Sequence, residues 1–398
     1  MDNQKSKIIT FYSYKGGVGR SMALANVAWL LANKYNKKVL GIDWDLEAPG
    51  LHRFFDLQEK RIKKGLIDLY CDYKELLQQE APSTGKKRLS INLYLDQRLI
   101  IDEYIVKIPE KELKRGSISF IPAGKFDKEY AKKVTEFNWE DFYENWHGFG
   151  FTEYLKAKFK SKADLILLDS RTGVTDIGGI CTLQLPDVVV LLFSLNEQNI
   201  SGTEMIIENI LDKAAEVTNK KSPPKLILIP SRVERYLEQE SRNYWEKIAA
   251  DRLGQYLPER DRTSPLKYIK KKNIPQVGYF SFGEMLAVKK DPEGELSESY
   301  EDLTTSVLKT SRLWEEKVKP AAKIPSAPIS PVSKKSRTKT IIIILISLFI
   351  LSIPLSYQLF FKKDRKDITK TQIELGNSYM SLAEIKDRAE NLNKAINV

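Results

Sequence analysis

The sequence predicts an α/β domain built on a mostly parallel sheet with helices on both faces. Three observations lead there. Short apolar runs are continuous rather than alternating, as strands covered on both faces require. Stretches with helical spacing separate these runs, in the order strand, helix, strand. A glycine-rich turn, "YSYKGGVGRS", joins the first run to the first helical stretch.

Residues 8–13 read as the first buried strand, and residues 21–34 as a helix apolar on nearly every side, hence interior. "VLGID" (39–43), residues 118–121 and "ADLILLDS" (163–170) supply three more strands. "DVVVLLFS" (187–194) and "KLILIPS" (225–231) add two others, with Met205, Ile206, Ile210 and Leu211 at helical spacing between them. "IPQVGYFSF" (274–282) is expected to form a last edge strand, followed by a final helix over 300–317. Residues 58–117 are highly charged, find no clear place in the sheet and are expected to be an insertion. The aromatic stretch 137–151 resembles base-stacking material, but its spacing favours packing of an amphipathic helix on a core.

A chain of 398 residues with 42% hydrophobic residues is long enough for one large core with appendages. Its only cysteines, Cys71 and Cys181, lie far apart without a C-x-x-C pattern, which argues against a disulfide framework, a zinc site or an iron–sulfur cluster. The only histidines, His52 and His147, have no flanking acid pattern and are assigned no chemistry. The globular domain is expected over 1–318. Residues 319–339 contain four prolines and several serines and lysines, the composition of an extended tether.

Beyond the tether, "TIIIILISLFILSIPLSYQLFF" (340–361) runs 22 residues without a charge. At 1.5 Å per residue that crosses a bilayer core of about 30 Å, so it is read as a C-terminal transmembrane helix, with a hairpin bending at Pro354 as the alternative. Residues 362–398 form a short charged tail. No apolar signal region precedes the glycine turn, so nothing suggests secretion of the large domain. The net charge of +11 leaves a nucleic-acid partner open, but no motif supports one.

The glycine-rich turn carries the chemistry. In a phosphate-binding loop, glycines let backbone N–H groups curl around phosphates, the following helix adds its dipole, and a hydroxyl takes up magnesium. Gly16, Gly17, Gly19 and Ser21 meet those needs, with Val18 and Met22 completing the turn. The common pattern wants glycine at Tyr14 and lysine at Arg20, and neither is present.

"KGGVGRS" resembles the deviant Walker A motif of the MinD/ParA-type ATPases, and looks closest to a variant branch with arginine in the second basic position. "DWDLEAPG" from Asp43, "LLDSRTG" from Leu167 and "LILIPSR" from Leu226 are similar to that family's switch region, Walker B strand end and base-proximal strand. The resemblance implies a P-loop NTPase fold, ATP with Mg²⁺ as cofactors, and an ATP-dependent homodimer. It further implies that Lys15 is the signature lysine reaching a dimer partner's phosphates, and that Arg20 holds the β- and γ-phosphates. Ser21 would bind magnesium, Asp43 would lie near the metal shell, Asp45 would orient the attacking water and Asp169 would anchor magnesium through water. Arg232 is read either as a base-stacking group or as a solvated arginine. Arg171 is read either as a surface charge or as part of a switch element beside Gly173, Gly178 and Gly179. No N-K-x-D sequence follows a strand, which favours ATP over GTP.

These readings converge on a membrane-anchored ATPase that dimerises around Mg·ATP and acts as a switch for an unidentified protein partner. A phosphate-binding loop needs ATP and magnesium, so the domain is expected on the cytoplasmic side of a cell membrane, by inference a bacterial inner membrane. Arginine keeps the charge at position 20 but not the geometry of an ammonium, so turnover is expected to be slow. The alternatives are a non-hydrolysing nucleotide sensor and a bacterial tyrosine kinase. The kinase reading is disfavoured by the membrane segment following the ATPase domain and by a tail whose only tyrosine is Tyr379.

Overall fold

A computed structural model describes residues 6–79, 91–109, 113–173, 179–218, 222–234 and 239–314. All of them fall within one unit, Met1–Ala321. The expected tether, transmembrane helix and tail lie outside the described residues. Among those described, no helix is long and apolar enough to cross a membrane.

The continuous apolar runs become strands. β1 (Lys7–Tyr12), β2 (Lys38–Asp43), β3 (Val106–Lys107), β4 (Ser117–Ile121), β5 (Leu165–Asp169), β6 (Val188–Phe193), β7 (Lys225–Val233) and β8 (Ile274–Pro275) form one sheet. Its order is β3-β4-β2-β5-β1-β6-β7-β8, and all neighbours are parallel except β3 and β4. β1 is therefore central, with β5 and β2 on one side and β6 and β7 on the other. Loops at the carboxyl ends of β1, β2 and β5 are thereby gathered at one place, the end of an open parallel sheet where ligand sites generally form.

α1 (Arg20–Asn33) is rich in alanine and leucine, contains neither proline nor internal glycine, and is buried over most of its length. It packs on one face of the sheet against α12 (Glu295–Thr310), with α11 (Ala287–Lys290) beside it. The opposite core contains α2 (Leu66–Gln79), which buries Leu66, Ile67, Leu69, Tyr70 and Tyr73. Also present are α3 (Ile91–Arg98), α4 (Lys128–Glu136), α5 (Trp139–Asn145), α6 (Gly148–Lys162), α7 (Glu197–Thr218), α8 (Gln239–Leu253), α9 (Glu259–Arg262) and α10 (Pro265–Lys271).

Several expectations change at this level. Residues 58–117 do enter the sheet, because Val106 and Lys107 pair antiparallel with β4 at its edge. The expected strand over 274–282 keeps only Ile274 and Pro275, and Gly278–Ser281 turns into a 3₁₀ helix. The final helix begins five residues earlier than expected, at Glu295. The aromatic stretch packs as its spacing suggests: Tyr70 meets Trp139, Phe142 and Phe151 with ring centroids 5.0, 5.2 and 5.4 Å away. Cys71 and Cys181 are both free thiols, and burial pushes Cys181 up to about 12.

Candidate nucleotide site

The loop after β1 takes the shape its glycines allow. Gly17 and Gly19 have φ of 79° and 80°, in the left-handed region that a side chain resists. Gly19 forms the N-cap of α1 without any side-chain hydrogen bond to the first turn, so side chains leave those backbone donors uncapped. Ser13 Oγ donates to the Lys15 carbonyl at 2.8 Å, and Ser231 Oγ, at the end of β7, donates to the Val18 carbonyl at 2.7 Å. The loop is thus pinned on both sides.

Beside it opens a cavity of about 600 Å³, within the range of small-molecule sites. Ser13, Gly16 to Met22, Asp45 and Arg232 all line it. Asp43 and Asp169 do not. They lie opposite each other in register at the ends of β2 and β5, each 1% exposed, beneath Arg20. Lys15 is also absent from the lining; its ammonium donates to Gln198 Oε1 in the first turn of α7.

Arg20 adopts an arrangement that its motif does not reveal. Its Nε donates to Asp169 Oδ1 at 2.7 Å and its Nη2 to Asp45 Oδ2 at 2.7 Å, with the side chain 7% exposed. Burial opposes its charge, but the two carboxylates outweigh this and raise its pKa. The guanidinium therefore faces the acids under the loop, where the expectation had it facing phosphate. Its planar fork explains the difference, because two carboxylates on separate elements each find a donor.

Asp43 accepts backbone N–H bonds from Asp45 at 3.2 Å, Gly50 at 3.1 Å and Leu51 at 3.2 Å. Burial, together with the neighbouring charge of Asp169, nevertheless pushes its carboxyl up to about 8. Burial likewise raises Asp45, against the pull of Arg20.

The donor set fits Mg²⁺. Ser21 and Asp45, which line the cavity, offer hard oxygens, which this ion takes as one or two ligands alongside phosphate oxygens and water. Among the described residues, no three His, Cys, Asp or Glu side chains are grouped to hold a metal by themselves.

Other lining residues went unnoticed in the sequence. Glu47, inside the switch-like "DWDLEAPG", lines the cavity as well. Phe280 and Phe282 were read as strand, yet both line the cavity, and Phe282 is 92% exposed. Arg171 lines it too, paired with Glu47 across the opening. The sheet order gives the cavity two flanks: Asp45 and Arg171 come from the β2 and β5 side, Arg232 from the end of β7 and Phe282 from the segment after β8. His52 is largely buried and burial lowers its pKa; it takes no part in the cavity lining.

Among curated proteins, none matches the chain. Among solved structures, it is similar to the cell division ATPase MinD of Pyrococcus furiosus, with 16% identity, a TM-score of 0.46, and 76% of this chain and 99% of that chain covered. It is also similar to the septum site-determining protein MinD complexed with Mg-ADP from Pyrococcus horikoshii, with 17% identity, a TM-score of 0.45 and coverage of 77% and 98%. A ParA family ATPase from Chlorobium tepidum shows 18% identity, a TM-score of 0.47 and coverage of 75% and 99%. The family model for the CobQ/CobB/MinD/ParA nucleotide binding domain matches residues 9–269. That match spans well over half of the chain and includes the loop, both acidic strand ends and β7, so the protein belongs to the CobQ/CobB/MinD/ParA family of nucleotide-binding domains.

Proposed function

We propose that the protein is a membrane-anchored ATPase switch that binds Mg·ATP in this cavity and dimerises around it. The observation carrying this reading is a single cavity lined by Gly16 to Ser21, where α1 starts without a side-chain cap, and by Asp45. Backbone N–H groups of Gly16, Gly17 and Gly19 hold the phosphates, Ser21 would hold Mg²⁺ directly, and Asp169, outside the lining, would anchor it only through water. When bound, that ion neutralises charge on the phosphate oxygens. Asp45, facing the cavity, orients the attacking water. Positioning and charge stabilisation of this kind are the main levers of phosphoryl transfer. Lys15 lies outside the cavity lining, and we assign it to the phosphates of a second copy. Residues 340–361 anchor the chain in the membrane with the ATPase domain in the cytoplasm, and a protein partner reads the dimer.

One observation favours a second reading. Arg20 engages Asp45 and Asp169 together, so the acid meant to orient water is already bonded. A domain that kept this arrangement with nucleotide bound would bind without turnover and act as a sensor. Phosphate release from the full chain in detergent, with Mg·ATP, separates the two. Turnover abolished by Asp45→Ala supports the switch, while nucleotide binding without turnover supports the sensor. For the anchor, a cysteine added near Val398 and treated with a membrane-impermeant reagent on intact cells should react; protection until lysis favours the hairpin.

A further inference from the structure

The cationic residues lining the described cavity are Arg20, Arg171 and Arg232. They are not equally free to meet a phosphate. Arg20 is buried and bonded to two carboxylates. Arg232 is the penultimate residue of β7, on the flank away from the acids. Arg171 stands two residues beyond Asp169 at the end of β5, next to the central strand that feeds the loop. Its Nη2 pairs with Glu47 Oε2, and the two side chains are 30% and 56% exposed. An ion pair so open to water is weak and readily exchanged.

We propose that Arg171 reads the terminal phosphate of a bound nucleoside triphosphate, and that Glu47 holds its place when that phosphate is missing. This rests on the nucleotide reading of the cavity. The guanidinium fork matches two phosphate oxygens as well as it matches a carboxylate, and the triphosphate end carries more charge than Glu47. The backbone around Arg171 is anchored on both sides. Ser170 N donates to the Phe11 carbonyl at 3.2 Å, and the Tyr12 hydroxyl donates to the Gly173 carbonyl. The exchange is therefore a side-chain swing from one anion to another. It links the segment after β2, through Glu47, to the segment after β5, so the presence of a third phosphate is registered by both.

The test compares Mg·AMPPNP, a non-hydrolysable triphosphate, with Mg·ADP by calorimetry on the full chain in detergent. Wild-type protein should bind the triphosphate more tightly. Arg171→Ala should weaken AMPPNP by about tenfold and leave ADP unchanged, as loss of one charge-assisted contact implies. Arg171→Lys should restore part of the loss, and Glu47→Gln should tighten AMPPNP alone. Retained ADP binding also shows that each variant is folded. Equal weakening of both nucleotides by Arg171→Ala, or no weakening of AMPPNP, overturns the proposal. Wild-type protein that binds neither nucleotide overturns the reading of the cavity itself.

Discussion

Arg20 and Asp169 are joined by a 2.7 Å bond between Nε and Oδ1, tying the start of α1 to the end of β5. The basic residue of the phosphate loop thus neutralises the acid expected to anchor magnesium. With Asp43 beside it, the acidic cluster has, among the described residues, the Arg20 guanidinium bonded to two of its three members for compensation.

Removing that guanidinium should therefore destabilise the fold. Arg20→Met leaves Asp45 and Asp169 without their counter-charge, and breaking a buried pair by deleting one partner costs about 3 kcal/mol or more. Arg20→Lys should cost less, because an ammonium keeps the charge but not the fork. Urea unfolding of wild type and both variants measures this, and adding Mg·ATP should narrow the gap. Identical midpoints would refute the pairing.

Asp43 gives stability a pH dependence. Its ordinary value is 3.8 and its folded value is about 8, so the folded state holds this proton more tightly than the unfolded chain does. The contribution is fully present below about pH 4 and is lost as pH rises through about 8. Urea midpoints of wild type relative to Asp43→Asn, without magnesium, should fall between pH 5 and pH 8, on the order of the linkage expected for one shifted carboxyl. A difference independent of pH would contradict the burial of this charge.

Much of the sheet was legible because buried parallel strands need uninterrupted apolar runs, which β1, β2, β5, β6 and β7 have. β3 was not, since two residues, one of them Lys107, form no pattern; pairing with β4 decides their conformation. Phe280 and Phe282 looked like strand because β-propensity does not reveal that one is buried and the other exposed beside a cavity. The loop, its serine and the three aspartates were visible as spacings. The bonds of Arg20 were not, because its partners are 25 and 149 residues away. The Glu47 and Arg171 pair, 124 residues apart, was hidden for the same reason.

Lys15→Ala should leave Mg·ATP binding by the isolated protomer largely intact, since its ammonium bonds to Gln198 and does not line the cavity. The ATP-dependent dimer should be lost. Light scattering with Mg·ATP, in the Asp45→Ala background to prevent turnover, gives the comparison. Persistence of the dimer would remove the role proposed for this lysine.

Gly19→Ala should weaken nucleotide binding through the backbone alone. A Cβ there would meet Ser231 Oγ at 3.9 Å, an ordinary contact, so the strain comes from φ of 80° and amounts to about 1–2 kcal/mol. Relief of that strain would re-aim the amides that α1 presents to the loop. Titration of Mg·ADP against wild type and variant tests it, and equal affinity counts against a preformed cradle.

Trp44 lies between Asp43 and Asp45, fully buried, with its backbone N–H on the Asp169 carbonyl at 2.9 Å and its ring edge-on to Tyr70. Its indole Nε1 has no hydrogen-bond partner among the described groups. The consequence is optical. An indole sealed from water and lacking a polar partner emits at short wavelength, and one whose backbone adjoins two carboxylates shifts with any rearrangement of that segment. The chain therefore carries a native fluorophore in the backbone of its acidic cluster, where nucleotide arrival should be visible as a change in emission without any attached label.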